Sequence, residues 1–166
     1  MMSAGVVGLG AMGGPIALHL VRAGIPVRCF DLDPDVTAGH AAEAVATAGE
    51  VAARSSAVFV FVPTDDDVVS VCTAELLPAA RPGTVVAICS SVRPDTCAAV
   101  AAVAPDGVAV LDTALTGGVR GAEQGGSTCS SAATRRRSTA SARCSPRGPP
   151  ASTISARSAP ARSPRR

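Results

Sequence analysis

The fold is decided by one stretch near the amino terminus, Gly5-Val6-Val7-Gly8-Leu9-Gly10-Ala11-Met12-Gly13. It is a short apolar run that leads directly into three glycines with G-x-G-x-x-G spacing. A run of this kind is typical of a buried strand, and glycines permit the tight turn that follows it. Residues 12–23 then repeat apolar side chains at helical spacing, with Ile16 and Leu20 on one face and Gly24 as the stop. The stretch therefore predicts a strand, a glycine turn and a helix in immediate succession.

Strand and helix patterns continue to alternate from residue 5 to residue 112. β-branched and apolar runs predict further strands at 27–30, 58–62, 85–88 and 108–111. Asp33-Pro34-Asp35 and Pro94-Asp95 have the capping and first-turn residues that begin helices. Alternating strands and helices imply right-handed crossovers between parallel strands. The predicted fold class is therefore α/β, with a Rossmann-type doubly wound parallel sheet.

The glycine loop has the residues that a dinucleotide pyrophosphate requires. The first glycine of such a loop permits the tight turn, the second lets the pyrophosphate approach the backbone, and the third lets the helix pack on the strand. The phosphates then lie at the helix N-terminus, where free N–H groups favour negative charge. We therefore expect contacts to the cofactor from Gly8, Leu9, Gly10, Ala11, Met12 and Gly13.

An acidic residue follows at the end of the next predicted strand. Asp31 lies 18 residues after Gly13, where a carboxylate can accept hydrogen bonds from the adenosine ribose hydroxyls. The same carboxylate would repel a 2′-phosphate, and the next residue, Leu32, has no charge to hold one. These residues favour NAD over NADP as the cofactor. The alternative is a glycine-rich turn of another α/β fold in which Asp31 only caps a helix.

Four motifs follow in a fixed order between residues 5 and 125. They are Gly-Leu-Gly-x-Met-Gly at 8–13, Val62-Pro63, Ser90-Ser91 with Pro94 after them, and Leu111-Asp112-Thr113-Ala114-Leu115-Thr116-Gly117-Gly118-Val119. Together they resemble the β-hydroxyacid dehydrogenase family, which includes 3-hydroxyisobutyrate dehydrogenase and 6-phosphogluconate dehydrogenase. The resemblance implies that Val62, Pro63 and Ser91 contact the cofactor.

The same resemblance implies a reaction and a substrate. Hydride would move between a nicotinamide cofactor and the carbinol carbon of a small β-hydroxyacid, in an enzyme that is often a homo-oligomer. Thr116 would offer a hydroxyl, and Gly117 and Gly118 their N–H groups, to the substrate carboxylate, although Ala114 replaces the usual proline of this turn. The family uses a lysine as general acid/base, and the 166 residues contain none, so no catalytic residue is assigned.

The composition changes after Gly126. All 13 acidic residues lie at or before Glu123, whereas nine of the 15 arginines lie after Gly126, among many serines and prolines. Ile154 is the single large aliphatic residue of this stretch, which therefore buries too little apolar area to offset the entropy of ordering. We predict an NAD(P)-binding domain at 1–126 and a disordered Arg/Ser/Pro-rich tail at 127–166.

The tail also permits a second interpretation when its codons are shifted by one base. With GC-rich codons, residues 131–138 permit Val-Gly-Gly-Asp-Glu-Ala-Ala-Leu and residues 159–165 permit Gly-Ala-Gly-Ala-Val-Ala-Lys. Both resemble family motifs, and the second resembles the catalytic-lysine segment. The hypothesis is that a one-base slip near residues 125–127 replaced the helical carboxyl-terminal domain with out-of-frame sequence. Such a chain would lack turnover.

Two other functions fit parts of the sequence. Nine arginines could bind nucleic-acid phosphates as a basic arm, but the tail has no aromatic side chain for base stacking, so we expect no nucleic-acid partner. A non-catalytic NAD sensor would need only the cofactor loop. His19 is expected to be a helix-surface or packing residue.

Cysteine spacing and hydropathy exclude further classes of protein. The six cysteines show no C-x-x-C pair, which argues against a zinc site and a disulfide scaffold and favours reduced thiols in the cytoplasm. The sequence has no basic leader before its first apolar stretch, so we expect no signal peptide. It also has no run of 18 apolar residues, so we expect no membrane span.

Overall fold

A computed structural model of the chain describes residues 2–133. The strands are β1 (Ala4–Val7), β2 (Val27–Phe30), β3 (Glu43–Ala44), β4 (Ala57–Val60), β5 (Val85–Ile88), β6 (Ala109–Thr116) and β7 (Thr128–Ala133). The α-helices are α1 (Gly13–Arg22), α2 (Pro34–Ala38), α3 (Ala48–Ala53), α4 (Asp65–Val71), α5 (Leu77–Ala79), α6 (Pro94–Ala102) and α7 (Gly118–Gln124). A π-helical segment, Cys72–Leu76, joins α4 to α5.

The seven strands of residues 2–133 form one sheet in the order β3-β2-β1-β4-β5-β6-β7. Every neighbouring pair from β3 to β6 is parallel, and β7 alone runs antiparallel, against β6. The chain builds outward from β1 to β3 and then returns to place β4 on the other side of β1. This reversal leaves a crevice beyond the carboxyl ends of β1 and β4, where sheets of this kind bind ligands. The predicted Rossmann-type doubly wound fold is confirmed.

The central strands are apolar because helices cover both faces of the sheet. Val6 of β1, Val58 and Val60 of β4, and Val86 and Ile88 of β5 are fully buried. One cluster of buried side chains joins β4 and β5 to α3, α4 and α6, and a second joins β1 and β2 to α1. Strands buried on both faces lose the polar alternation of a half-exposed strand.

Helix starts follow the capping residues in the sequence. The Asp33 side chain accepts a hydrogen bond from the N–H of Asp35 at the start of α2, and Pro34 is the first helical residue. Pro94 is likewise the first residue of α6, although the N-cap residue there, Arg93, forms no side-chain cap bond. Among the described residues, no helix is long and apolar enough to cross a membrane.

Regular structure continues past the boundary predicted at residue 126. The sequence predicted that β6 would end at Leu111, but the strand continues to Thr116 and pairs with β7 from Leu111↔Ala133 to Thr116↔Thr128. The strand β7 therefore lies within the tail predicted at 127–166, and the division of the chain at residue 126 stays a prediction. An antiparallel strand at the edge of a sheet is held by backbone hydrogen bonds, so it needs no run of large apolar side chains. The remaining tail, 134–166, with its predicted disorder and shifted motifs, lies outside the described residues.

Candidate dinucleotide-binding site

A cleft of about 1070 Å³ opens at the carboxyl ends of the parallel strands. Its walls come from the glycine loop after β1, the end of β2, the connections after β4 and β5, and the carboxyl-terminal half of β6. It therefore includes the crevice at the point where the strand order reverses. A cleft of this size can accommodate a dinucleotide-sized ligand.

The three glycines of the loop differ in what surrounds them. Gly8 has a φ of +87°, and a Cβ there would lie 2.3 Å from the Phe61 carbonyl oxygen. A Cβ at Gly13 would lie 1.9 Å from the Gly8 carbonyl oxygen, so α1 packs directly on the end of β1. A Cβ at Gly10 would have no atom within 4 Å. The open position is the one at which a bound pyrophosphate needs to approach the backbone.

The N-terminus of α1 faces this opening. Ala11 and Met12 line the cleft together with Gly10 and Gly13. The first N–H groups of an α-helix have no partner within the helix, and Met12 at the N-cap forms no side-chain cap bond. The first turn also has no acidic residue. The helix dipole and these N–H groups fit an anionic group at this end of α1.

Asp31 is held at the rim of the cleft by two backbone groups. Its Oδ2 accepts a hydrogen bond from the N–H of Leu9 at 2.6 Å, and its Oδ1 accepts one from the N–H of Asp33 at 3.0 Å. Each carboxylate oxygen has a second lone pair, so the oriented carboxylate can still accept bonds from a ribose. Leu9 itself is buried and does not line the cleft. Its role is to orient Asp31 through its backbone.

Val62, Pro63 and Ser91 line the other half of the cleft, beside β5. Ser90 joins the two connections that carry them. Its Oγ accepts a hydrogen bond from the N–H of Val62 at 3.0 Å and donates one to the Val60 carbonyl oxygen at 3.4 Å. From the sequence, a cofactor contact was expected of Ser91 and no separate role of Ser90. Ser90 therefore positions the connection after β4, and the sequence has no signal for this contact between residues 28 positions apart.

Asp65, the first residue of α4, also joins the connection after β4 to the connection after β5. Its Oδ1 accepts hydrogen bonds from the Thr96 hydroxyl and from the N–H of Arg93 at 3.0 Å. These two bonds, the one from Thr96 first, lower the pKa of the Asp65 carboxyl. The N-terminus of α4 is thereby fixed to the N-terminus of α6. Nothing in the sequence indicated this contact between distant residues.

Comparison with known proteins agrees with this geometry. Residues 3–143 match the family described as the NAD binding domain of 6-phosphogluconate dehydrogenase. The chain belongs to that family. The resemblance to the β-hydroxyacid dehydrogenases is thus confirmed for the amino-terminal NAD-binding domain.

Two relatives and one solved structure show how far the likeness extends. The chain is 37% identical over 127 residues to 2-(hydroxymethyl)glutarate dehydrogenase of Eubacterium barkeri, which covers 73% of this chain and 42% of that protein. It is 34% identical over 124 residues to 3-hydroxyisobutyrate dehydrogenase of Pseudomonas aeruginosa, which covers 71% of this chain and 42% of that protein. The Mycobacterium tuberculosis 3-hydroxyisobutyrate dehydrogenase structure with L-serine superposes with a TM-score of 0.73 at 33% identity, over 79% of this chain and 46% of that one. The chain thus spans less than half the length of these proteins.

The segment with the resemblance to a substrate-binding turn lies at the end of β6. Gly117 and Gly118 both have positive φ, +96° and +54°, and lead into α7. Gly118 lines the cleft of this NAD-binding domain, whereas Thr116 and Gly117 do not. Thr113, for which the sequence predicts no separate role, also lines the cleft, and its buried Oγ1 has no hydrogen-bond partner among the described residues.

Proposed function

We propose that the cleft binds NAD, with the adenosine ribose at Asp31, the pyrophosphate at the glycine loop and the nicotinamide beside Pro63 and Ser91. The observation that carries this proposal is the combination of an open Gly10 with an Asp31 carboxylate fixed by two backbone N–H groups in the same cleft. A 2′-phosphate at that position would meet a carboxylate, and the adjacent Leu32 is 91% exposed and uncharged. Charge therefore favours NAD over NADP at this position.

The substrate class follows from the names of the relatives and from the end of β6. We infer an oxidoreductase domain that acts on the CH–OH group of small β-hydroxyacids, as the names of the two dehydrogenases indicate for those proteins. A bound nicotinamide would supply the hydride chemistry. Thr116, Gly117 and Gly118 would hold the substrate carboxylate, and Gly118 already lies at the cleft wall on the side of β6.

The chain of 166 residues is proposed to lack turnover. It contains no lysine for the general acid/base role that the family resemblance implies. The one-base slip remains the proposed origin of the tail. Its position near residues 125–127 rests on the sequence alone. Both β7, at Thr128–Ala133, and the family match, which runs to residue 143, extend past that position.

Calorimetric titration of the chain with NAD and with NADP tests the cofactor proposal. We expect NAD to bind about tenfold more tightly or better, because an ionic repulsion or a lost charge-assisted bond changes affinity by at least that factor. Asp31→Ser combined with Leu32→Arg should move the preference towards NADP. Asp33→Ser is the matched control, since that carboxylate caps α2 and does not line the cleft. Equal or tighter binding of NADP by the unmodified chain would refute the ribose role of Asp31.

A further inference from the structure

Glu75 is an acidic residue of the cleft wall to which the proposed function gives no role. It lies on the π-helical segment Cys72–Leu76, and its Oε2 accepts a hydrogen bond from the N–H of Ala48 at 3.0 Å. That bond fixes the carboxylate at the N-terminus of α3. Because a carboxylate has two oxygens and several lone pairs, Glu75 retains capacity to accept a hydrogen bond from a ligand.

The packing of α3 places Glu75 on the adenosine side of the cleft. Helix α3 contacts the π-helical segment on one side and β1 and β2 on the other. Asp31 and Leu32, at the end of β2, line the same cleft as Val71 and Glu75. A flat base beyond the ribose at Asp31 would therefore have apolar side chains near its faces and the Glu75 carboxylate near its edge. Sites that combine apolar walls with one fixed polar group select ligands by that group.

We propose that Glu75 recognises the adenine base of the cofactor by accepting a hydrogen bond from its N6 amino group. Adenine has a donor at this position, whereas a 6-oxo purine such as hypoxanthine has an acceptor. On the N7 side of the 6-position, away from the N1–H that hypoxanthine also has, a carboxylate that only accepts would bind the amino group of adenine and repel the 6-oxo group. This inference rests on the proposed function, because it requires NAD in the cleft.

The π-helical segment supplies the local reason for this position. A π-helical turn has one residue more than an α-helical turn, and such turns are frequent at functional sites. The extra residue changes the face that the following side chains present. The Ala48 N–H then holds the Glu75 side chain in one orientation before a ligand binds, so less side-chain freedom is lost on binding.

The test compares two dinucleotides on the same protein by calorimetry, NAD and nicotinamide hypoxanthine dinucleotide. The full chain should bind NAD about tenfold more tightly, as expected for one hydrogen bond to a charged acceptor. In Glu75→Gln this ratio should fall to about one or reverse, because an amide can donate to the 6-oxo group. Glu50→Gln is the matched control: Glu50 also accepts a backbone N–H beside α3, from Ala46 at 2.9 Å, but it does not line the cleft. Its ratio should equal that of the unmodified chain.

Three outcomes would overturn the proposal. Equal affinity of the unmodified chain for the two dinucleotides shows that the 6-position is not recognised, and this result needs no variant to fold. An equal loss of both affinities in Glu75→Gln shows that Glu75 only supports α3. If the unmodified chain binds neither dinucleotide, the proposed cofactor function falls together with the role of Glu75.

Discussion

The glycine loop between β1 and α1 and the edge formed by β6 and β7 are both regular structure, but they are stabilised differently. In the loop, two of the three glycines are required by close contact: a Cβ at Gly8 would lie 2.3 Å from the Phe61 carbonyl oxygen, and one at Gly13 would lie 1.9 Å from the Gly8 carbonyl oxygen. At the edge, β6 and β7 are joined by six paired positions, and the buried hydroxyls of Thr113 and Ser127 have no hydrogen-bond partner among the described residues. The loop tolerates few residues, whereas the edge depends mainly on its backbone.

This difference has a functional consequence. Cofactor binding at the amino-terminal half needs only residues that the chain has and that the fold brings together. The substrate binding proposed for the other edge would need groups that the described residues supply only in part, since Gly118 lines the cleft and Thr116 does not. We therefore expect the chain to retain NAD binding at the glycine loop and to lack substrate turnover at the β6–β7 edge.

The largest expected effect concerns turnover. We expect the 166-residue chain to bind NAD without measurable oxidation of 3-hydroxyisobutyrate or glycerate, because general acid–base catalysis alone contributes about 10²–10⁴-fold in rate. Loss of substrate positioning would lower the rate further. Steady-state assays of NADH formation measure this directly. Robust oxidation by the purified chain would contradict the proposed lack of turnover, because catalysis would then need no lysine.

The coding DNA provides the control for that result. Inserting or deleting one base near codon 126 should open a longer frame that contains a G-x-G-x-x-x-K segment. The protein expressed from that frame should gain turnover while its NAD affinity changes much less. A DNA sequence in which no alternative frame continues from codon 126 to a G-x-G-x-x-x-K segment would exclude the slip.

The next largest effect is a difference in stability between alanine substitutions at two glycines of the loop. Gly13→Ala should destabilise the chain by roughly 2–3 kcal/mol, because the new Cβ meets backbone atoms that cannot rotate away. Gly10→Ala should change the free energy of unfolding by less than about 1 kcal/mol, since its Cβ meets nothing within 4 Å, but it should weaken NAD binding. Urea unfolding and calorimetry measure the two effects. Equal destabilisation by both substitutions would contradict the contact geometry of the loop.

The same contrast explains how much of the molecule could be predicted from sequence. The strands β2 and β5 lie where the sequence predicted them, at 27–30 and 85–88. β5 is an apolar run because a strand buried on both faces needs one, whereas β2 alternates between buried and half-buried residues and contains Arg28. β7 was not predicted, since Thr128–Ala133 has no strand-like apolar pattern and gains its structure by pairing with β6. The contacts of Asp65 with Thr96 and of Glu75 with Ala48 were missed for a similar reason. They join residues that are 31 and 27 positions apart, and neither the residue types nor their spacing predicts the contact.

Hydrogen exchange distinguishes the stability of the central strand β1 from that of the edge strand β7. Amides of β1 lie between two parallel neighbours in the centre of the sheet, whereas β7, among residues 2–133, lies at its edge and pairs with β6 alone. We expect β7 amides to exchange at least about tenfold faster than β1 amides, because edge elements open locally without global unfolding. Mass spectrometry of peptic fragments resolves the two strands. Complete lack of protection across Thr128–Ala133 would instead support the original prediction of disorder from residue 127.

The smallest expected effect concerns His19, the residue that connects the two regions. Sequence predicted only a surface or packing role, but a ring nitrogen of His19 lies 2.9 Å from the Glu123 carbonyl oxygen on α7, beside Gly125. Helix α1 thereby holds the short helix that follows Gly117. His19→Ala should loosen α7 by about 1 kcal/mol, the usual value of one hydrogen bond, and leave the glycine loop intact.

Limited trypsin digestion measures this loosening, because Arg120 lies on α7 and is exposed. A change of about 1 kcal/mol raises the population of open α7 about fivefold, and cleavage after Arg120 should accelerate by that factor when opening is fast. Cleavage after Arg54, at the end of α3 and remote from α7, is the internal control and should not change. If both sites are cut faster to the same extent, His19 stabilises the whole domain. If neither changes, the contact with Glu123 contributes nothing, and the two regions are coupled through the sheet alone.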